Sequence, residues 1–361
     1  MDKKILVLPG DGIGPDVVAE ALKILALFPG FQTTTALFGG CAIDAYGTSL
    51  NDETLQLARE ADAVLLGAVG GPKWGTGPVR PEQGLLKLRS ELDVYANIRP
   101  CSFPAKGLLK LSPLKEHISD GTDITVVREL CGGAYFGKKH EASEFEGKYA
   151  MDEWPYKLEE VERIVRVAAK MAQDEGKQLH SIDKANVLAT SRLWRTTTTK
   201  LVETEFPDVK LSHDLIDSAC MSAVLAPKRF NGVCVTENLM GDIFSDLLSA
   251  VPGTLGIMPS ASLASAPPSK GIYEPIHGSA PDIAGQGIAN PVGTILSVAM
   301  MMELTFEMQK EGTAIREAVR RVLESKEFGG MEIRTRDLKG SNTTSEVGSA
   351  IEAEVKKILK L

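Results

Sequence analysis

One stretch in the second half of the chain decides the fold: Val233-Cys234-Val235-Thr236-Glu237-Asn238-Leu239-Met240-Gly241-Asp242-Ile243-Phe244-Ser245-Asp246. Its first four residues are an apolar run that predicts a buried strand, and the apolar spacing that follows predicts a helix. A helix places Asp242 and Asp246 on one face. Such a pair is either an ordinary exposed acidic surface or a site for a hard divalent cation such as Mg²⁺. The strand-to-helix junction favours the cation site, because α/β proteins place ligands there.

Strand and helix signals alternate along the rest of the chain. The spacing predicts strands at residues 4–8, 61–68, 123–127 and 180–183, and helices at 82–92, 290–308, 313–323 and 345–359. Residues 260–271 are rich in Ser, Ala and Pro and predict a loop. Residues 131–156 have no core periodicity and predict a hairpin arm that leaves the body of the protein. The alternation as a whole predicts an α/β fold.

Length and composition limit the class of protein. The chain has 361 residues, enough for two domains, and a formal net charge of -8 that argues against nucleic-acid or anionic-membrane binding. Its five cysteines are dispersed, as is typical of reduced thiols in a cytosol-like compartment. No apolar run approaches the ~20 residues that span a bilayer. The strand predicted from residue 4 leaves no room for a targeting peptide, so we expect a cytoplasmic protein.

A glycine-rich turn follows the first predicted strand: Pro9-Gly10-Asp11-Gly12-Ile13-Gly14-Pro15. Gly10 and Gly12 fit a Rossmann dinucleotide loop, but Pro15 stands where its third glycine belongs. The turn is therefore no basis for placing a pyrophosphate, and a tight strand-to-helix connection is the alternative.

Several side chains at predicted strand or helix ends are suited to bind or transform an anionic substrate. Arginine binds carboxylates bidentately, so a dicarboxylate would suit Arg89, Arg99 and Arg128 together; single surface ion pairs are the alternative. Lys184 follows a predicted strand and could act as a base, or could merely pair with a carboxylate. Tyr135 could donate a proton to a carbanion, or could simply pack in the arm.

A loop-forming stretch collects His, Ser and Asp among glycines at residues 273–285. A Ser-His-Asp hydrolase triad is not supported, because the nucleophile-elbow pattern is missing. A better account is a backbone-rich loop with a carboxylate that binds a ribose hydroxyl. That carboxylate would repel a 2′-phosphate and favour NAD over NADP.

Six motifs together resemble the isocitrate and isopropylmalate dehydrogenases, a family of β-decarboxylating dehydrogenases, from end to end. They are Ala96-Asn97-Ile98-Arg99-Pro100, Val127-Arg128-Glu129-Leu130, Tyr135-Phe136-Gly137, Asp183-Lys184-Ala185-Asn186-Val187-Leu188, Gly241-Asp242-Ile243-Phe244-Ser245-Asp246 and His277-Gly278-Ser279-Ala280-Pro281-Asp282. The resemblance implies a two-domain, non-Rossmann fold with a dimerisation arm. Residues 1–100 and 254–361 would form a discontinuous cofactor-binding domain, and residues 101–253 a substrate and dimerisation domain with the arm at about 131–156.

The resemblance also implies roles for individual residues. Arg89, Arg99 and Arg128 resemble the arginines that bind the malate carboxylates, and Asp217 resembles a third metal ligand beside Asp242 and Asp246, for Mg²⁺ or Mn²⁺. In the family, Lys184 as base and Asp217 come from the partner subunit of a homodimer, and Tyr135 protonates the carbanion. Contacts to NAD would come from Glu82, His277, Gly278, Ser279, Ala280, Pro281, Asp282, Ile283 and Asn290.

The implied reaction is the oxidative decarboxylation of 3-isopropylmalate to 4-methyl-2-oxopentanoate, a step of leucine biosynthesis. Leu85, Leu86 and Val187 would provide an apolar surface for the isopropyl group, whereas the additional carboxylate of isocitrate would be unpaired there. Ordinary helix core is the alternative for the two leucines. Other readings are a different 3-substituted malate such as homoisocitrate or tartrate, a non-catalytic regulatory subunit, or, on the two aspartates alone, a metal-dependent hydrolase.

Overall fold

The computed structural model describes residues 3–75 and 78–361. The chain forms two compact units. Unit 1 comprises the described residues of Met1–Val94, Ser102–Asp120 and Ser249–Leu361, and unit 2 comprises Tyr95–Cys101 and Gly121–Leu248. Residues 102–120 therefore belong to unit 1, whereas the predicted boundary places them in the substrate domain. They are tied there because the backbone N–H groups of Lys106 and Gly107 donate to the Glu324 carboxylate, at 3.0 and 2.7 Å. The binding roles given to the two domains stay predictions.

Strands and helices alternate along the described residues, which confirms the α/β class. The strands are β1 Lys3–Gly10, β2 Phe31–Thr35, β3 Ala63–Ala68, β4 Ala96–Ser102, β5 Asp123–Glu129, β6 Lys139–His140, β7 Met151–Asp152, β8 Leu179–Asp183, β9 Leu211–Leu215, β10 Gly232–Thr236, β11 Pro259–Leu263 and β12 Gly271–Pro275. The α-helices are α1 Gly14–Leu25, α2 Gly40–Tyr46, α3 Asp52–Glu60, α4 Pro81–Glu91, α5 Glu116–Ser119, α6 Leu158–Asp174, α7 Ala189–Glu205, α8 Ile216–Leu225, α9 Asn238–Ser249, α10 Val292–Leu304, α11 Gln309–Leu323 and α12 Thr344–Leu359.

The strands of unit 1 have the order β2-β1-β3-β12-β11. Strand β1 is parallel to β2 and β3, β3 is parallel to β12, and β11 is antiparallel to β12. Buried apolar side chains of these strands and of the neighbouring helices form the core, among them Leu6, Leu8, Val64, Leu66, Leu88 and Ile272. An antiparallel strand and this order differ from the Rossmann arrangement, which confirms the non-Rossmann prediction.

The predicted loop at residues 260–271 is wrong at both of its ends. Residues Pro259–Leu263 form β11, and Gly271 begins β12. Ser260, Ala261 and Ser262 are buried, and Ser260 N–H donates to the Ser297 hydroxyl of α10 at 3.4 Å. Small side chains allow α10 to lie close against β11. They also give a weak strand signal, which is why the pattern predicts a loop.

The glycine-rich turn after β1 connects distant segments of unit 1. Gly12 has a φ of +58°, and a Cβ atom there would lie 1.9 Å from the Ser279 carbonyl oxygen. The Asp11 carboxylate accepts hydrogen bonds from the backbone N–H groups of Gly40, Cys41 and Gly70, each at 2.8 Å. The geometry therefore favours a tight structural connection over a pyrophosphate loop.

Unit 2 has the strand order β4-β5-β10-β8-β9. Strand β10 is parallel to β5 and β8, and β8 is parallel to β9. The buried strand Gly232–Thr236 leads directly into α9, as the opening stretch of the sequence predicts. Parallel strands that end at one edge of the sheet bring Arg128, Asp183 and Thr236 to its carboxyl edge.

The segment predicted as an arm is a hairpin. Lys139 pairs with Asp152 and His140 with Met151 in a two-residue antiparallel ladder. The tip carries an aromatic contact between Phe145 and Tyr149, whose ring centroids are 5.1 Å apart.

Within the described part of the chain, no helix is long and apolar enough to cross a membrane.

Candidate active site

Helix α9 presents two carboxylates and collects three polar side chains around them. Asp242 Oδ1 accepts a hydrogen bond from Arg128 Nη1 and lies 3.5 Å from Arg99 Nη1. Asp242 Oδ2 accepts a 2.8 Å hydrogen bond from the Tyr135 hydroxyl, and Asp246 Oδ1 accepts one from Arg99 Nη1 at 3.1 Å. Five predicted site residues therefore lie together within unit 2.

Two residues that the sequence prediction missed as site residues fix the position of the Arg128 side chain. Asn238 Oδ1 accepts hydrogen bonds from Arg128 Nε at 2.9 Å and from Nη2 at 2.7 Å. Gly241 leaves room for the arginine stem, since a Cβ atom there would lie 2.8 Å from Arg128 Cγ. No spacing rule links Asn238 to a side chain 110 residues away, so this tertiary contact carries no sequence signal.

The two carboxylates have opposite pKa shifts. Burial would raise the pKa of Asp242, but the charges of Arg128 and Arg99 and the hydrogen bond from Tyr135 hold it below its ordinary value. Burial raises the pKa of Asp246, and the negative charge of Asp242 adds to that effect against the opposing charge of Arg99. A divalent cation between the carboxylates would replace their mutual repulsion with attraction.

Tyr135 is held in its protonated form. Burial and the hydrogen bond to Asp242 raise its pKa to about 12. Its ring also lies over the Arg128 guanidinium, 5.6 Å from the ring centroid. Tyr135 therefore carries a proton at neutral pH beside the carboxylates, as a general acid must.

A third residue that the sequence prediction missed, Glu237, joins the arm to helix α9. This buried carboxylate accepts hydrogen bonds from Trp154 Nε1 and the Tyr156 hydroxyl, both at 3.1 Å, and from backbone N–H groups at the start of α9. Tyr156 in turn accepts a hydrogen bond from Asn238 N–H at 2.9 Å. The base of the arm and the carboxylate-bearing helix are therefore one hydrogen-bonded structure.

Lys184 and Asp217 form a separate pair. Lys184 Nζ lies 2.6 Å from Asp217 Oδ1, and the hydrogen bond from the lysine lowers the pKa of Asp217. Asp217 is in the first turn of α8, where the helix dipole favours a negative charge. Val187 follows in the same turn as Lys184 and is 62% exposed. The buried Asp183, held by two hydrogen bonds from Arg195 at 2.8 Å, fixes the strand end that precedes Lys184.

A metal site is only partly formed within one chain. Among residues 3–75 and 78–361, no three His, Cys, Asp or Glu side chains come together to hold a metal ion. Asp242 and Asp246 offer two carboxylates of the kind that hard cations prefer. Asp217 contacts Lys184 instead, so the predicted three-aspartate set is not assembled by this chain alone.

The predicted substrate residues of unit 1 lie on α4. Arg89 is buried, and its Nη2 donates to Glu274 Oε1 at 2.7 Å. Leu85 packs partly against the core of unit 1, and Leu86 is also half-buried, so the helix-core alternative describes at least part of the Leu85 surface. Glu82 is exposed near the start of the helix.

The predicted cofactor loop of unit 1 is anchored through its backbone. Ser279 carbonyl oxygen accepts a 2.8 Å hydrogen bond from Ile13 N–H, and Ala280 and Ile283 pack on the start of α1. Gly278, Pro281 and Asp282 are exposed, which leaves backbone atoms and a carboxylate open to a ligand. These donors and acceptors fit a nucleotide ribose.

Two further loop residues have defined surroundings. Burial lowers the pKa of His277, so its ring is neutral at neutral pH and suits contact with a nucleotide base. Asn290 is buried; its Nδ2 donates to Asp337 Oδ2 at 2.9 Å, and its Oδ1 accepts from Val292 N–H at 3.1 Å. Asn290 thus holds the start of α10.

The protein-family model described as isocitrate/isopropylmalate dehydrogenase matches residues 4–351 of the chain. The chain belongs to the isocitrate/isopropylmalate dehydrogenase family. It is 54% identical to 3-isopropylmalate dehydrogenase of Pichia angusta, over 100% of both chains. It is 53% identical to the enzyme of the same name from Saccharomyces cerevisiae, over 99% of each chain.

Solved structures of family members share the fold. Isocitrate dehydrogenase from Methylococcus capsulatus superposes with a TM-score of 0.85 at 32% identity, over 98% of this chain and 99% of its own. A β-decarboxylating dehydrogenase from Thermococcus kodakarensis gives 0.79 at 33% identity, over 99% and 98%. These matches confirm the predicted family and its fold class. The roles given to individual residues stay predictions.

Proposed function

We propose that this family member oxidises and decarboxylates 3-isopropylmalate with NAD, giving 4-methyl-2-oxopentanoate and CO₂ in leucine biosynthesis. The observation that carries the proposal is the cluster on α9, where two carboxylates, two arginines and a protonated tyrosine meet. A malate needs cationic partners for its carboxylates, and β-decarboxylation needs a proton donor for the resulting carbanion. The name that the relatives in Pichia angusta and Saccharomyces cerevisiae share supports this substrate.

Arg99 and Arg128 are proposed to bind the substrate carboxylates, and Arg89 is proposed as a further substrate-binding arginine. Arginine suits this role, because its planar fork matches a carboxylate. Asp242 and Asp246, with Asp217 of a second subunit, would hold Mg²⁺ or Mn²⁺. The bound cation would supply Lewis-acid stabilisation of negative charge on the substrate oxygens.

Two side chains carry out the proton transfers in the proposed reaction. Lys184 would take the proton of the 2-hydroxyl group, directly or through water, and NAD, held by the residues assigned to the cofactor site, would supply the acceptor for the hydride at C2. The carboxylate at C3 then leaves as CO₂, and its bonding electrons stay on C3. Tyr135 gives its proton to C3, for which its position beside Asp242 and its protonated state are suited.

A homodimer with shared active sites is part of the proposal. Helix α8 carries the exposed apolar side chains of Met221, Val224 and Leu225, the last of them 64% exposed. A helix with such a face suits packing against an identical helix about a two-fold axis. Asp217 begins the same helix, so contact through α8 would carry Asp217 and its partner Lys184 toward a second subunit. The arm of residues 131–156 would contribute to the same contact.

Specificity is proposed to come from charge and apolar surface. The exposed Asp282 carboxylate would bind the ribose and disfavour the 2′-phosphate of NADP. Leu85, Leu86 and Val187 would contact the isopropyl group. The remaining assigned cofactor residues, from Glu82 to Asn290, would complete the NAD site. The five dispersed cysteines and the net charge of -8 support a cytoplasmic enzyme that binds neither nucleic acid nor membranes.

The test is NADH formation, followed by absorbance, with purified protein, Mg²⁺ and 3-isopropylmalate, isocitrate, homoisocitrate or tartrate. Turnover with isopropylmalate and NAD alone is the expected result. Turnover with isocitrate would keep the mechanism but overturn the role of Leu85, Leu86 and Val187. No turnover with any of these acids, in a folded dimer, would overturn the proposed function and favour a regulatory subunit.

A further inference from the structure

We propose that Asn238 is a positioning residue that decides which edge of the Arg128 guanidinium faces the substrate. The inference rests on the proposed function, in which Arg128 binds a substrate carboxylate. Asn238 Oδ1 accepts hydrogen bonds from both Nε and Nη2 of Arg128, at 2.9 and 2.7 Å. One amide oxygen therefore occupies the whole side edge of the guanidinium.

The orientation of Asn238 is itself fixed. Its Nδ2 donates to the carbonyl oxygens of Leu130 and Gly132, at 3.1 and 2.9 Å, and its backbone N–H donates to the Tyr156 hydroxyl at 2.9 Å. The side chain is fully buried. A flipped amide would turn its NH₂ group toward the arginine donors and its oxygen toward two carbonyls, so only one orientation satisfies all of these partners.

The occupied side edge limits how Arg128 can bind a carboxylate. A side-on bidentate pair would need Nε and Nη2, which Asn238 already holds. Nη1 and Nη2 each carry two N–H groups, so the substrate must approach the end of the fork that these two nitrogens form. Nη1 also donates to Asp242 Oδ1. End-on binding therefore brings the substrate carboxylate next to Asp242, where the proposed cation would lie. The Gly241 position, which admits the Arg128 stem, keeps the guanidinium at this depth.

The test is a double-mutant cycle with Asn238→Ala, Arg128→Gln and the double variant, read as KM for isopropylmalate, KM for NAD and kcat. Asn238→Ala should raise KM for isopropylmalate by about tenfold, the scale for hydrogen bonds to a charged group, and leave KM for NAD unchanged. The double variant should be no worse than Arg128→Gln alone, because Asn238 acts through Arg128. If Asn238→Ala does not fold, Asn238→Ser takes its place in the same cycle with the same expectation.

Asn231 provides a matched control in unit 2. Its Oδ1 accepts from Asp123 N–H at 2.9 Å and its Nδ2 donates to Gly121 carbonyl oxygen at 2.7 Å, so it makes backbone bonds similar to those of Asn238 without touching an arginine of the site. Asn231→Ala should leave both KM values unchanged. An equal effect of Asn231→Ala, or additive losses in the double variant, would overturn the positioning role. Absence of isopropylmalate turnover by the wild-type enzyme would instead overturn the proposed function.

Discussion

Lys184 and Asp217 form an ion pair within one chain, with Nζ 2.6 Å from Oδ1. The two residues therefore reach any active site together. If that site belongs to the second subunit of a dimer, as proposed, substitutions of Lys184 and of Asp217 in one chain affect the same active site. A substitution of Asp246 on α9 of that chain affects the other active site of the dimer. This difference makes subunit sharing measurable.

Mixed dimers should distinguish active sites that are shared between two subunits from active sites that are formed within one subunit. When Lys184→Met and Asp246→Asn chains are unfolded, mixed in equal amounts and refolded, half of the dimers should carry one intact site. About a quarter of wild-type activity should then appear at a Mg²⁺ concentration too low to activate Asp246→Asn alone. Mixing Lys184→Met with Asp217→Asn should return none. Each variant refolded alone is the control. Recovery from neither mixture would contradict subunit sharing, and recovery from both would contradict the joint action of the ion pair.

Asp246→Asn should weaken the response to Mg²⁺. The substitution keeps the shape of the side chain but removes one of the two α9 carboxylates, so the Mg²⁺ concentration for half-maximal activity should rise by about tenfold or more. Activity is measured across a Mg²⁺ titration, with Asp208→Asn as an exposed control in unit 2. An unchanged titration curve would remove Asp246 from the metal site.

Asp282→Ala should relax the preference for NAD over NADP. The exposed carboxylate is the proposed source of repulsion against a 2′-phosphate, so the ratio of kcat/KM for NAD to that for NADP should fall. Glu53→Ala, which removes an exposed negative charge elsewhere in unit 1, should leave the ratio unchanged. A ratio that stays constant in Asp282→Ala would show that another residue sets the preference.

Glu129 should make stability depend on pH. This carboxyl is fully buried beside Arg163, and burial raises its pKa from 4.5 to about 7. Its contribution to stability is fully present below pH 4.5, the pKa of the carboxyl in the unfolded state. The contribution is lost as the pH rises through 7, because the folded state, which binds the proton more tightly than the unfolded state, then releases it. The wild-type free energy of unfolding should fall over this range by up to about 3 kcal/mol.

Glu129→Gln should flatten that dependence, because glutamine does not titrate and still offers an oxygen to Arg163. The measurement is denaturant unfolding at pH values across this range, with the exposed Glu159→Gln as control. An equally steep decline in Glu129→Gln would mean that other groups cause it.

Periodicity predicted the elements that depend on local pattern and missed those that depend on packing. The spacing of Asp242 and Asp246 implied a shared helix face, and α9 provides it. Strand β11 was missed because its Ser and Ala side chains are small to suit α10, a tertiary reason with no local signal. Residue type and position marked Arg128 and Tyr135 as candidates, and the motif resemblance implied their roles. It did not find Asn238, whose role consists of hydrogen bonds to residues more than 80 positions earlier.

The arm has a consequence for handling the protein. Residues 143–153 are exposed, and a two-residue ladder is the strand pairing that closes the hairpin, so this backbone has little local resistance to opening. A protease should cut an isolated chain there first, near Phe145 and Tyr149, and a subunit contact that covers the hairpin should slow the cut. The rate of limited proteolysis at the tip would thus report how much of a preparation is assembled.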